Sequence, residues 1–149
     1  MYTKYIFVII ALLIGGLLPV QGSINSHLST FLKHPLQAAF VSFFVGTLAL
    51  FFLNVFLKTE VPAAKELVKI PFYLFFGGLL GAIYVTSAIV LIPKIGITSL
   101  LAASIAGQLI ISSVIDHFGF FNVPIHPISF GRVAGIALLA TGIFLIQRF

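Results

Sequence analysis

YIFVIIALLIGGLLPVQGSINSHLSTFL, residues 5–32, runs its whole length without an Asp, Glu, Lys or Arg. About 20 apolar helical residues cross the roughly 30 Å hydrocarbon core of a bilayer, so this stretch spans a membrane with residues to spare. Four more apolar stretches follow, at 35–57, 71–92, 97–115 and 130–146. Charged side chains collect between them: Lys33 after the first, Lys58 to Lys69 in one loop, Lys94 between the third and fourth, Asp116 after the fourth. A soluble domain carries about a quarter charged residues, whereas this chain of 149 residues is 7% charged and 60% hydrophobic, with a mean hydropathy of +1.23. In lipid the backbone must satisfy its own hydrogen bonds, so these runs are expected to be helices despite their many Phe, Ile and Val residues. The expected fold is all-α: a polytopic integral membrane protein, a compact bundle of five transmembrane helices forming a single domain over residues 1–149.

The first stretch changes character midway. Residues 6–18 are plain apolar surface, whereas Gln21, Gly22, Ser23, Asn25, Ser26, His27 and Ser29 are small or polar. Pro19, which lacks a backbone donor and crowds the preceding turn, is expected to kink the helix there. Pro93, Lys94 and Gly96 supply a break, a charge and a flexible joint, so a tight reversal is expected between the third and fourth spans. Lys4 and the apolar run that follows imitate a signal peptide, but the succession of further spans predicts an uncleaved first anchor. The absence of cysteine removes disulfides, thiolate metal sites and lipoprotein anchoring.

The net charge of +5 is a topology signal in such a chain and predicts no nucleic-acid partner. With five spans, Lys4, Lys58, Lys65, Lys69 and Arg132 share one side and Lys33, Lys94 and Arg148 the other. That bias places the amino terminus in the cytoplasm. It is slight enough to admit insertion in both orientations.

Lipid offers helices no hydrophobic reason to associate, so they pack where small side chains let backbones approach. Ser42 and Gly46, Gly77 and Gly81, Ser99, Ala103 and Gly107, and Gly131, Gly135 and Gly142 stand at helical spacing and are expected to form packing grooves. Polar residues within spans cost more and so say more. Gln21 and Asn25 are four apart on one face and are expected to point inward. Ser104, Gln108 and Ser112 form a second stripe, and Tyr84 and Ser87 lie about one turn apart. These amides and hydroxyls either tie helices together or bind a polar solute. The candidate substrate-binding residues are therefore Gln21, Asn25, Tyr84, Ser87, Ser104 and Gln108. Ionisable residues are missing from the centre of every span, which leaves no obvious intramembrane carboxylate for proton exchange. Asp116, His117 and Arg132, at the ends of the last two spans, are the candidates for gating or coupling. Asp116 is expected to pair with Arg132, and His117 belongs to the residue type that titrates nearest neutrality.

Enzymatic signatures are absent. His27, His34, His117 and His126 have no metal-ligand spacing, and the serines have no acid–base partner at motif distance. Neither a catalytic group, a metal nor a cofactor is expected.

The segments GGLLPVQGSINSHLS (15–29), FGGLLGAIYVTSAIVLIPKIG (76–96), SIAGQLIISSVIDHFGFF (104–121) and GRVAGIALLATGIFLIQ (131–147) resemble the YdcZ-type members of the drug/metabolite transporter superfamily nearly end to end. The pairing of Gly107-Gln108 with Asp116-His117-Phe118-Gly119 is the most specific part. The resemblance implies a bacterial inner-membrane protein made of one five-helix unit, related to the halves of ten-helix EamA-like exporters and more remotely to the four-helix small multidrug resistance exporters. The first-helix glutamate of the latter has no counterpart here, where the matching region offers Gln21 and Asn25, and this argues against proton-driven cation export by that chemistry.

The expected function is a transporter or exporter of a small organic metabolite or lipophilic solute, with the lipid bilayer as its solvent. Two units, identical or from a related five-helix protein, would form a dimer enclosing a midplane site. An odd number of spans inverts tandem copies relative to each other, the usual arrangement for alternating access. The alternative is a membrane scaffold or accessory subunit that transports nothing, in which the polar faces serve packing alone.

Overall fold

The first apolar stretch is two helices in sequence, α1 (Tyr2–Gly15) and α2 (Leu17–Leu32), interrupted at Gly16 rather than at Pro19. A proline ring clashes with the carbonyl four residues earlier. For Pro19 that is Gly15, so the disturbance falls one turn upstream of the proline itself. Pro19 then occupies the third position of α2, where a backbone N–H has no intrahelical partner to lose. The Gly16 N–H bridges the interruption by donating to Leu12 O at 3.3 Å and Leu13 O at 3.2 Å.

In this computed structural model the described residues are 2–148, with side chains from Tyr5 onward; the side chain of Lys4, which enters the orientation count, lies outside them. The remaining elements are α3 (Pro35–Leu57), the short α4 (Ala64–Leu67), a 3₁₀ turn at Phe72–Phe75, α5 (Phe76–Ile95), α6 (Ile97–Phe118), a 3₁₀ turn at Phe120–Asn122 and α7 (Phe130–Arg148). Among the described residues there is no strand. Among the described residues five helical stretches are long and apolar enough to cross a membrane: Tyr5–Leu32, Pro35–Leu57, Phe72–Ile95, Ile97–Phe118 and Phe130–Arg148. The fold is all-α and that of a multi-span membrane protein.

The expected break at Pro93 does not occur. Helix α5 carries Pro93 within its last turn and runs on to Ile95, although the missing donor leaves the Ile89 carbonyl without its helical partner. Gly96 alone makes the joint, with φ at +79°, a conformation that suits a residue without a Cβ.

Two compact units make up the chain, Met1–Lys94 and Ile95–Phe149. In the first, α2 and α3 pack antiparallel through a short connection. Lys33 ends α2 in the left-handed conformation, and His34 starts α3 with Nδ1 accepting from Leu36 N at 3.2 Å, ahead of Pro35 at the first helical position. The core of this unit is Ala38, Ala39 and Ile89, flanked by Leu28, Leu32 and Val85. Two alanines allow the backbone of α3 to approach closely, and Ile89 from α5 fills the space above them at 2% exposure. At its far end α3 closes on polar groups: Asn54 Nδ2 donates to Leu50 O at 2.8 Å, Thr59 Oγ1 donates to Asn54 Oδ1, and Lys58 takes the left-handed cap.

In the second unit α6 and α7 are neighbours joined by an extended segment. Gly119 ends α6 at φ +66°, and a Cβ there would lie 2.7 Å from Ile125 Cγ1. The small-residue grooves expected from the sequence are mostly not helix contacts within these units. Gly81 meets Phe43, 3.4 Å from where its Cβ would be, but Gly46, Gly77, Gly107, Gly135 and Gly142 have nothing within 4 Å.

Glycine substitutions should therefore divide sharply. Gly119→Ala combines left-handed backbone strain, about 1–2 kcal/mol for a residue with a Cβ, with a collision against Ile125, and should lower the unfolding free energy by about 2 kcal/mol or more. Gly107→Ala gains helix propensity of about 1 kcal/mol and meets no neighbour, so its stability should hold or rise. Unfolding in mixed detergent micelles, followed by circular dichroism, measures both.

Candidate functional site

Asn25 sits on the face of α2 that carries Leu28 and Leu32, one and two turns on, and these leucines pack on the core of the first unit. It is therefore drawn inside, to 4% exposure, and is the buried polar residue among those described. Its Nδ2 has no hydrogen-bond partner. An unpaired buried donor costs about 1–3 kcal/mol relative to a bonded one, which is a large expense in a region where small side chains would pack as well.

Gln21 lies one turn before Asn25, yet it is exposed. It lines an open groove of about 620 Å³ with Ala11, Ile14, Gly15, Leu17 and Leu18 of the same span. The expectation that both amides point inward thus holds for Asn25 alone. On α5, Val85 and Ile89 face the core, and Ser87 stands roughly 160° around the helix from them. Ser87 lines a different cleft, of about 360 Å³, with Leu36, Leu79, Ala82, Ile83 and Thr86. Tyr84 is 36% exposed. Within the first unit, then, Gln21 and Ser87 line separate clefts.

In the second unit Ser104 is half-buried and Gln108 exposed, so the expected inward stripe on α6 is broken at Gln108. Further along, Ser112 and Ser113 both donate to Leu109 O, at 3.2 and 2.7 Å. They line a cleft of about 380 Å³ with Leu109, Asp116, Arg132, Gly135 and Ile136. The expected pairing is present: Arg132 Nη1 lies 3.4 Å from Asp116 Oδ2, with side chains 37% and 31% exposed.

The ion pair is one strand of a larger knot. Arg132 Nη1 donates to His126 O at 2.9 Å, His126 N donates to Asp116 O at 2.8 Å, and Ile128 N donates to His117 Nδ1 at 3.2 Å. Ser129 starts α7 by accepting from Arg132 N at 3.3 Å through its hydroxyl. Asp116, His117 and Arg132 thereby anchor the segment between the helices. Sequence reasoning found these three side chains but missed His126 and Ser129, whose contributions come from a carbonyl, an N–H and a cap. The clue available was Ser129 three residues ahead of Arg132 at the start of an apolar run, the usual place for an N-cap.

Comparison with known proteins decides the relationship. The profile of a family described as "Putative inner membrane exporter, YdcZ", of the drug/metabolite transporter type, matches residues 6–145. The chain belongs to this family. The match spans all five apolar helices and both units, so the family is one of multi-span inner-membrane proteins to which export is ascribed. No curated protein and no solved structure matches the chain.

The knot should respond unequally to its two charges. The Asp116 carboxylate makes a long, partly exposed contact, and Asp116→Asn should cost less than about 1 kcal/mol. Arg132→Met also removes the charge-assisted bond to His126 O and should cost about 1–2 kcal/mol more. Thermal unfolding of the two variants beside the parent protein measures the difference.

Proposed function

We propose that this protein is a secondary transporter that exports a small organic metabolite or lipophilic solute across the inner membrane. It works as a dimer of five-helix units by alternating access about a midplane site that includes Asn25. The observation that carries the reading is the orphaned Asn25 amide. A family of exporters supplies the context, and the buried Nδ2 without a partner supplies a donor that a solute or a second conformation would satisfy. Gln21, Tyr84, Ser87, Ser104 and Gln108 are proposed as further contacts made in the assembled dimer, where faces exposed on one chain can become lining. The partner is a second copy of this chain or a related five-helix protein. The inverted arrangement, with its pseudo-two-fold axis in the membrane plane, requires the partner in the opposite orientation. No catalytic chemistry is assigned to these residues.

Screening solutes by thermal shift on purified protein should find a ligand, since binding to the native state raises apparent stability by mass action. Asn25→Leu should then abolish that shift and the matching flux in proteoliposomes, while the ligand-free unfolding free energy holds or rises, because no hydrogen bond is lost and the cost of the unpaired donor is removed. A loss of stability in step with activity would assign Asn25 to packing and the protein to the scaffold reading.

We infer from the distribution of Lys and Arg that the amino terminus and the 58–69 loop face the cytoplasm. Labelling from outside should modify Arg148→Cys and spare Lys65→Cys. Equal labelling would report insertion both ways, which supplies inverted partners from a single gene product, and labelling of Lys65→Cys alone would reverse the orientation.

A further inference from the structure

The cleft that holds Asp116 and Arg132 does not end at the ion pair. Gly135 lines both that cleft and a second one of about 470 Å³, which continues along α6 and α7 past Ala102, Ile105, Leu139 and Gly142 to Ile146. Every residue of this continuation is apolar or glycine. Nothing lies within 4 Å of the place a Cβ would take on Gly135, so the polar and apolar parts are joined there. The groove follows α7 from Arg132 toward Ile146, about 21 Å at about 1.5 Å per residue. That exceeds the half-thickness, about 15 Å, of a hydrocarbon core.

At the polar end two opposite charges stand side by side without satisfying each other. The 3.4 Å separation is well beyond the roughly 2.7–2.9 Å of a strong charge-assisted bond, and both groups are about one-third exposed. A guanidinium takes a phosphate and a carboxylate takes an ammonium. The Ser112 and Ser113 hydroxyls spend their protons on Leu109 O, which leaves their oxygens as acceptors for further N–H groups. Asp116 is in the last turn of α6 and Arg132 in the first turn of α7, level with the headgroups of a bilayer that these helices span. An anionic lipid would set its phosphate against Asp116 with nothing to offer the carboxylate, and a soluble zwitterion would leave the apolar continuation empty.

We propose that the α6–α7 cleft is a binding site for a zwitterionic phospholipid of the bilayer, with its phosphate on Arg132, its primary ammonium on Asp116 and one acyl chain lying along the groove from Gly135 to Ile146. The lipid is a resident of the fold rather than the cargo, and the site holds it whether or not solute is moved.

Native mass spectrometry of the detergent-purified protein, titrated with phosphatidylethanolamine or phosphatidylglycerol of identical acyl chains, tests this. Phosphatidylethanolamine should bind about tenfold more tightly, the difference one charge-assisted contact makes. Asp116→Asn should erase that preference, and Leu139→Trp, which fills the groove and leaves the ion pair untouched, should weaken phosphatidylethanolamine binding about tenfold. Free phosphoethanolamine at the same concentration should not displace the lipid. Equal binding of the two lipids by the parent protein, an unchanged preference in Asp116→Asn, full binding by Leu139→Trp, or displacement by the soluble headgroup would each overturn the proposal. Leu139→Trp keeps it decidable should Asp116→Asn fail to fold.

Discussion

Hydrocarbon cannot hydrogen-bond a stray backbone group, and the arrangement of this chain follows from that one constraint. Within a helix the demand is met automatically, so the spans can be almost pure Leu, Ile, Val and Phe. The difficulty is concentrated at the ends, where each helix leaves several N–H and C=O groups open. His34 and Ser129 answer at the starts of α3 and α7, left-handed residues at Lys33, Lys58 and Gly119 answer at the ends of α2, α3 and α6, and Asn54 with Thr59 adds a side-chain clasp. Several polar residues of the chain are thus committed to termini. Polar groups that are not so committed, Asn25 above all, need a different explanation.

Span number and character were legible because hydropathy is a bulk property: five runs separated by charge leave little choice when each must be about 20 residues long. Breaks within runs were less legible. Pro19 and Pro93 look alike in the sequence, yet one is associated with an interruption three residues upstream, at Gly16, and the other is absorbed. The difference goes with the glycine pair: the carbonyl that Pro19 crowds belongs to Gly15, beside Gly16, whereas the one that Pro93 crowds belongs to Ile89, between Ala88 and Val90. Facing was legible only in part. Helical spacing put Gln21 and Asn25 on one stripe, but only the packed neighbours decide which level of a stripe is covered: the core of Ala38, Ala39 and Ile89 lies beside Leu28 and Leu32, and Gln21, further up the span, is exposed.

The same limit applies to the small residues. Spacing identifies a strip where a backbone could approach, and Gly81 beside Phe43 is such an approach. Around Gly135 and Gly142 the strip is open and lines a groove, so the absence of side chains there serves the groove rather than a helix contact within that unit. A glycine selected for closeness and one selected for room are indistinguishable in sequence.

Two kinds of polar feature therefore coexist in this protein, and the two proposals give them different ligands. Asn25 is neutral, enclosed and short of one acceptor, which suits a solute that can enter and leave without paying the desolvation cost of a charge. Asp116 and Arg132 are charged, partly exposed and set at the end of two spans, where water and headgroups keep that cost small and where a ligand of matching charges can stay. A transport site that bound its cargo through the charged pair would have to carry those charges, or their partners, across the hydrocarbon core, at about 2.5–3.5 kcal/mol or more for each ionised group. Placing the neutral amide within a span and the charges at its edge avoids that barrier, and it leaves the edge free to hold the membrane's own lipid.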